Sequence, residues 1–361
     1  MTSSVIDNSN TVVTMAAVII IIFGLQAAQV LLMPFLLAIF FALITVRPML
    51  WLQSHKVPSV LAAIIVVFAL MLFLIVVGSI VGTSIAEFTA AIPSYQAQLK
   101  AVTDGMLQFI ARFVNDDVSV ASLGELIDPG RAMGLAATIL NALRGVLTNT
   151  FLILFTMVFI LLEASSVPTK TMAAFGRTAD SFQRAGIFVR NLGRYLGIKT
   201  IVSMVTGLVV GAMTWLIGLD FPLLWGMLAF ILNYIPTIGS IIAAVPATLL
   251  ALIQLGPAEA TTTALGFLAV NTVFGNIVEP RLMGYGVGIS PLVVFTGLIF
   301  WGWVFGPVGM LLSVPLTMAL KLGLESGERT RWIAILIGSE GDAEYALQMR
   351  KKEEAEQAAT T

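Results

Sequence analysis

The chain has no cysteine and a single histidine among its 361 residues. Without thiols there is no disulfide, no thiolate metal site and no thiol nucleophile. His55 has no second imidazole with which to share a metal, and no HExxH or Walker motif occurs. ATP-driven pumping or metal catalysis would therefore need a partner subunit, so the chain reads as a non-enzyme with no cofactor and no metal. Charge is scarce as well: 11% of residues are charged, against about 25% in a soluble globular chain. A net charge of −1 points to no nucleic-acid partner. No Lys or Arg precedes Arg47, so the first apolar run lacks the basic start of a cleavable signal peptide and reads as a retained helix.

What is abundant is apolar surface. The chain is 58% hydrophobic with a mean hydropathy of +0.98, the composition of an all-α polytopic membrane protein. Apolar runs cover Thr11 to Leu31 and Pro34 to Leu52, with Leu32-Met33-Pro34 as their expected turn. Pro58 opens a third helix to about Ile85, so residues 1–86 form a block of three membrane helices. Residues 87–145 differ. Phe88, Ile92, Tyr95, Leu99, Val102, Met106, Phe109 and Phe113 alternate steps of four and three, a heptad-like seam. Asp128-Pro129 resembles a helix start. Six acids against Lys100, Arg112, Arg131 and Arg144 place this region outside the cytoplasm.

Residues 146–323 hold the expected transport core. A span from Val146 to Leu162 leads into a basic connector, residues 164–200, with Lys170, Arg177, Arg184, Arg190, Arg194 and Lys199 against Asp180. Its apolar positions recur near helical spacing, which suits a helix lying among headgroups. Ser203, Gly207 and Gly211 form a small-residue stripe on the next span, where helices pack closely in lipid. Residues 324–361 form a charged tail.

Two stretches stand apart, residues 221–252 and 290–322. Each is apolar enough for a bilayer, yet each is interrupted. About 20 apolar residues make one pass, so some thirty are too many for one and too few for two. Proline removes a backbone donor and clashes with the turn before it, which puts the first break at Asn233-Tyr234-Ile235-Pro236. The order of features repeats. Pro222 and Pro291 open the segments, Pro236-x-x-Gly239 and Pro307-x-Gly309 punctuate them, and Val245-Pro246-x-Thr248 answers Val314-Pro315-x-Thr317. Paired interrupted segments point to a transporter built from repeats; shared helix breakers in two kinked helices are the plainer alternative. Either re-entrant hairpins or kinked spans fit. Read as hairpins, they bring the total to about eight membrane units, a weak inverted repeat and cytoplasmic termini, with the basic segments inside.

The ordered block Lys199-Thr200 with Ser203 and Thr206-Gly207, Asn233-Tyr234-Ile235-Pro236-x-x-Gly239, Asn276-x-x-Glu279-Pro280-Arg281-x-x-Gly284, Ser290-Pro291-Leu292, and Trp301-Gly302 through Pro315-Leu316 resembles the autoinducer-2 exporter family of bacterial membrane proteins. The resemblance implies an inner-membrane transporter of a small signalling molecule, with sodium or proton antiport known among some members.

Polar groups inside spans are costly and mark pathways. The candidate substrate or pathway residues are Asn233, Pro236, Thr237, Gly239, Asn276, Glu279, Arg281, Pro307 and Gly309. Asn233 adjoins the break. Glu279 and Arg281 meet where a span joins the second interrupted segment, either as a pathway pair or as an interfacial anchor. Lys199 reads as an ordinary positive-inside anchor, and Asn271 as a bridge between helices. The expected function is export of a small polar metabolite by alternating access, with a sodium/proton antiporter as one alternative and a membrane scaffold as another. Lipid, a small solute or ion, and further copies of the chain are the expected partners.

The seam carries its own test. An unpaired stripe of Phe, Ile and Leu outside the membrane would face water, so it should join copies of the chain or fold back on its own. If it joins copies, Leu99→Ser with Phe109→Ser gives a smaller species on a sizing column in detergent. An unchanged oligomer removes the seam as the interface.

Overall fold

The computed structural model describes residues 2–111, 150–164, 166, 169, 170, 173, 180–283, 288–325, 327, 330–341, 343, 344, 347, 348 and 351. Twelve α-helices and one π-helical stretch account for the elements, and no strand occurs among the described residues. The helices are α1 (Thr2–Ala27), α2 (Gln29–Ser54), α3 (Ser59–Ala111), α4 (Thr150–Ala164), α5 (Asp180–Ile217), α6 (Pro222–Leu232), α7 (Ile238–Gln254) and α8 (Pro257–Val270). The π stretch Asn271–Val278 follows, then α9 (Glu279–Met283), α10 (Pro291–Leu311), α11 (Ser313–Glu325) and α12 (Arg331–Ile337). Five helices have the length and hydropathy to cross a membrane, and shorter apolar ones accompany them. The protein is an all-α polytopic membrane protein.

Local chemistry moves three boundaries from where the sequence put them. The α1–α2 turn falls at Ala28, not at Leu32-Met33-Pro34. Ala28 leaves helical geometry (φ −86, ψ 4), and its carbonyl accepts from the amides of Leu31 and Leu32 to start a new helix. Pro34 then costs α2 one internal bond near its start without ending it. The second shift is in α3, which runs unbroken through residue 86 to Ala111, so the 86/87 boundary is not a break. The third lies at Glu279. It keeps helical angles (φ −59, ψ −50) although proline follows, and its amide bonds five residues back to Phe274. That i→i+5 register widens the helix ahead of Pro280, which relieves the usual clash before proline.

The chain divides into two compact units: residues 1–67, 151–197 and 285–361, and residues 68–150 and 198–284. In the second unit, α6 lies between α3 and α5. Phe73 meets Phe230, and further along α3, Phe88 meets Phe221 and Trp225 edge-on at 6.0 and 6.2 Å. Along α5 the contacts descend in register: Gly211 against Pro222, Gly207 against Gly226 and Phe230. A Cβ on Gly207 would stand 2.7 Å from the Gly226 carbonyl, and one on Gly226 2.8 Å from the Gly207 carbonyl. Two glycines thus let the backbones touch, the close approach that stabilises helix pairs in lipid.

Both interrupted segments are hairpins. At the base of the first, Asp220 N–H donates to Gln254 Oε1 at 3.0 Å and Gln254 Nε2 to the Gly218 carbonyl at 3.4 Å. Residue 254 therefore returns to where residue 220 began. Tyr95 on α3 adds a bond to Asp220 Oδ2 at 2.9 Å. Burial first, and then that carboxylate, push the Tyr95 hydroxyl up to about 12. With 11 residues, α6 is about 16 Å long, half of a hydrocarbon core of about 30 Å. In the first unit Lys321 Nζ donates to the Gly288 carbonyl at 2.6 Å, closing the base of the second hairpin. The helix Pro291–Leu311 is long enough to span, but it reverses at Gly306 (φ 64, ψ −149), a conformation open to glycine alone.

The tips close in the same way. An added Cβ on Gly239 would meet the Leu232 carbonyl oxygen at 1.8 Å, and one on Gly309 the Trp301 carbonyl oxygen at 1.9 Å. Backbone cannot yield there as a side chain would. Gly239→Ala and Gly309→Ala should each cost about 1–3 kcal/mol or more by overpacking, read as a lower unfolding temperature in detergent. Gly82, with nothing within 4 Å, is the control, and Gly82→Ala should leave the protein unchanged or slightly stabler. Normal melting of both tip variants would show that the tips are not packed as described.

The first residues of the seam are spent inside the chain. Phe88 is fully buried and Tyr95 nearly so, both against the first hairpin. The side chains of Ile92, Leu99, Val102, Met106 and Phe109, and all of Phe113, lie outside the described residues. So do Asp128-Pro129, part of the basic connector and most of the charged tail.

Candidate functional site

The face that α5 turns toward the first hairpin carries more than small residues. Lys199, Thr200, Ser203 and Thr206 follow one another at helical spacing, so they share the side that packs on α6 and the break. Thr200 Oγ1 accepts from the Tyr234 hydroxyl at 2.7 Å. Ser203 Oγ accepts from Asn233 Nδ2 at 2.9 Å. Lys199 Nζ donates to both oxygens of Glu279, at 2.7 and 2.8 Å. The two side chains are 6% and 15% exposed, so this is a buried ion pair inside a helix of span length. Isolated charges there would cost several kcal/mol each; the bidentate contact offsets much of it.

The Asn233-Tyr234-Ile235-Pro236 break is itself strained. Thr237 sits at φ 56, ψ −51, and Ile238 N–H reaches back to the Pro236 carbonyl at 2.6 Å, a γ-turn with positive φ, which is rare. A β-branched residue at positive φ is an outlier, and such strain gathers at functional sites. Thr237 is exposed and Gly239 buried, so the tip shows its turn and hides its hinge.

Thr206 stands out by what it does not bond. Helical threonines here donate back to their own carbonyls, as Thr214 does to Val210 and Thr263 to Glu259. Thr206 Oγ1 and Ser313 Oγ are buried with no hydrogen-bond partner among the described residues. An unmade bond of this kind costs about 1–3 kcal/mol.

Of the residues singled out from sequence, Asn233, Pro236, Thr237, Gly239 and Glu279 belong to this one unit, with Ser203, Gly207 and Gly211 on the facing helix. Asn276 and Arg281 are exposed. The cation that holds Glu279 is Lys199 and not Arg281, because Glu279 turns toward α5 while Arg281, two residues on, faces out. Pro307 and Gly309 belong to the other unit, at the second hairpin's tip. Sequence reasoning missed the part played by Lys199, Thr200, Thr206 and Tyr234. No local signal gave the pairing away: the apolar run of α5 is Thr200–Ile217, and Lys199 stands at its edge, where an anchoring cation is the ordinary reading.

No group of three or more His, Cys, Asp or Glu able to hold a metal occurs among the described residues. Apolar helices of span length, two hairpins broken at proline and glycine, and a buried charge pair beside a strained break are features that fit a membrane transporter. Residues 13–329 match the profile of the AI-2E family transporters, and the chain belongs to that family. It is 38% identical over 326 residues to the AI-2 transport protein TqsA of Escherichia coli K12, covering 90% of this chain and 94% of that one. A Haemophilus influenzae protein that carries the name of a transport protein is 38% identical over 338 residues, covering 92% and 97%.

Removing one partner of a buried pair strands the other. Lys199→Gln or Glu279→Gln alone should cost about 3–5 kcal/mol, read as loss of monodisperse protein and a lower melting temperature. The double variant should recover most of that loss. Three equally stable variants would mean that the pair is not formed in the folded protein.

Proposed function

We propose that this chain is a secondary transporter of the bacterial inner membrane that exports a small polar solute by alternating access. The observation that carries this is the buried Lys199–Glu279 pair beside the Asn233–Gly239 break, in a chain whose family transports. A structural anchor needs neither the burial nor the strain. Two hairpins with matching tips favour a repeated architecture, read here as an inverted repeat, and the basic connector and tail favour cytoplasmic termini. The name of the relative TqsA, an AI-2 transport protein, makes an autoinducer-2-like molecule the first solute to try. Oligomerisation through residues 87–145 belongs to the same proposal.

The test is solute counterflow in proteoliposomes. The wild-type chain should exchange labelled solute, and Asn233→Ala should slow exchange about tenfold or more while still inserting, because it removes the Ser203 contact at the break. A chain that inserts and melts normally but exchanges no candidate solute supports the scaffold reading instead.

A second reading, sodium/proton antiport, draws on the same pair, since Glu279 is a carboxylate that could exchange a proton. The Lys199→Gln/Glu279→Gln double variant keeps the shape and has no exchangeable charge. Under antiport, its proton flux should fall at least about tenfold. Undiminished proton flux in the folded double variant would take the pair out of coupling.

A further inference from the structure

Lys199 is the fixed charge of the pair and Glu279 the movable one. α5 is continuous from Asp180 through Ile217, and its glycines are wedged against the Gly226 backbone. Lys199 cannot be withdrawn without dislodging that crossing. Glu279 sits at the other extreme, directly after the eight-residue π stretch Asn271–Val278. Moving one residue between π and α register turns everything beyond it by about 100° around the helix axis. Such a step carries the carboxylate off Lys199 and toward the exposed side, where Asn276 and Arg281 already face out.

Once Glu279 leaves, Lys199 is a buried cation that needs a counter-charge. The groups nearest it are neutral and able to donate or accept, Thr200 and Ser203 on α5 with Tyr234 and Asn233 bonded to them, and two turns along α5 Thr206 has no hydrogen-bond partner among the described residues. We propose that Lys199 is the docking cation for an anionic group of carboxylate size on the transported solute, and that Glu279 is the internal placeholder that occupies it in the empty state. Both carboxylate oxygens of Glu279 lie within 2.8 Å of Nζ, so the pocket already holds the shape it would take from outside. A cationic solute would instead have to displace Lys199 from a helix that cannot give. This inference rests on the α5–hairpin face being the solute site.

The chain has no native cysteine, so one introduced thiol reads the local charge directly. Glu279→Cys is treated with an anionic and a cationic methanethiosulfonate, ethylsulfonate and ethyltrimethylammonium, each rate normalised to a small free thiol. A fixed cation in the pocket should favour the anionic reagent about tenfold or more, and Lys199→Gln in the same background should abolish the preference. Equal rates, a cation preference, or no reaction with either reagent in the folded protein would overturn the proposal. Should Glu279→Cys not fold, Ser203→Cys in the otherwise wild-type chain asks the same question one turn from Lys199: the anionic preference should appear there and vanish in the Lys199→Gln/Glu279→Gln background, and equal rates in the two would overturn the proposal. The labelling does not need a transported solute. A clear anion preference in a chain that exchanges nothing would count against the transport reading and leave the charge assignment standing.

Discussion

Hydrocarbon supplies no hydrogen bonds, and every break in this chain is shaped by that. A hairpin in lipid has two weak places, its base and its tip. The bases are closed by side chains: Gln254 on the Asp220 amide and the Gly218 carbonyl in one unit, Lys321 on the Gly288 carbonyl in the other. The tips are closed by backbone, each with a glycine pressed onto a carbonyl of the preceding helix. Helical threonines follow the same rule by donating to their own turn. Against this thrift, Thr206 and Ser313 are exceptions, one in each unit and each close in sequence or register to a hairpin.

The buried pair has to be weighed against the same constraint. An ion pair in a low-dielectric interior is weak support for stability, since well-packed apolar side chains of equal volume often do better. Packing alone therefore does not account for Lys199 and Glu279. The π stretch before Glu279 points the same way, because it gives up regular α register where a plain span would keep it. Strain at Thr237 is the third departure. All three lie in one unit, each close in the chain to a residue that bonds to α5.

Much of this was legible in the sequence, and the rest was hidden for definite reasons. Proline and glycine act locally, so the breaks at Pro236 and Pro307-x-Gly309 could be read from the sequence, although the reversing residue Gly306 was not singled out. Whether each break was a kink or a reversal could not, because that depends on bonds such as Gln254 to Asp220, 34 residues apart. The Lys199–Glu279 contact spans 80 positions, beyond any local rule. Arg281 was the nearer cation in sequence and faces away. Pro34 misled in the opposite direction: a helix in lipid tolerates proline near its start, so the turn formed at Ala28, which carries no turn signal at all. The end of α3 was set too early because the fall in hydropathy after Ile85 marks a change of surroundings, not of backbone.

The weak repeat gains its physical meaning from the tips. Leu232 and Gly239 are seven residues apart, Trp301 and Gly309 eight, yet both pairs make the same glycine-on-carbonyl contact. The one-residue drift lies in the turn itself. The first tip places proline ahead of its positive-φ residue, Pro236 before Thr237, whereas the second reverses them, Gly306 before Pro307. Either order brings the chain back on itself, so the contact persists while the letters that make it change. What the two hairpins do not share is chemistry. The first faces a lysine, a serine and a threonine. The second is locked from within, by Trp301 donating to Thr317 at 3.0 Å and stacking on Phe305. Under the proposed transport reading, matching geometry with unequal polarity suits one hairpin that binds and a counterpart that supports. The polar hairpin is therefore the one on which a solute's chemistry should be read.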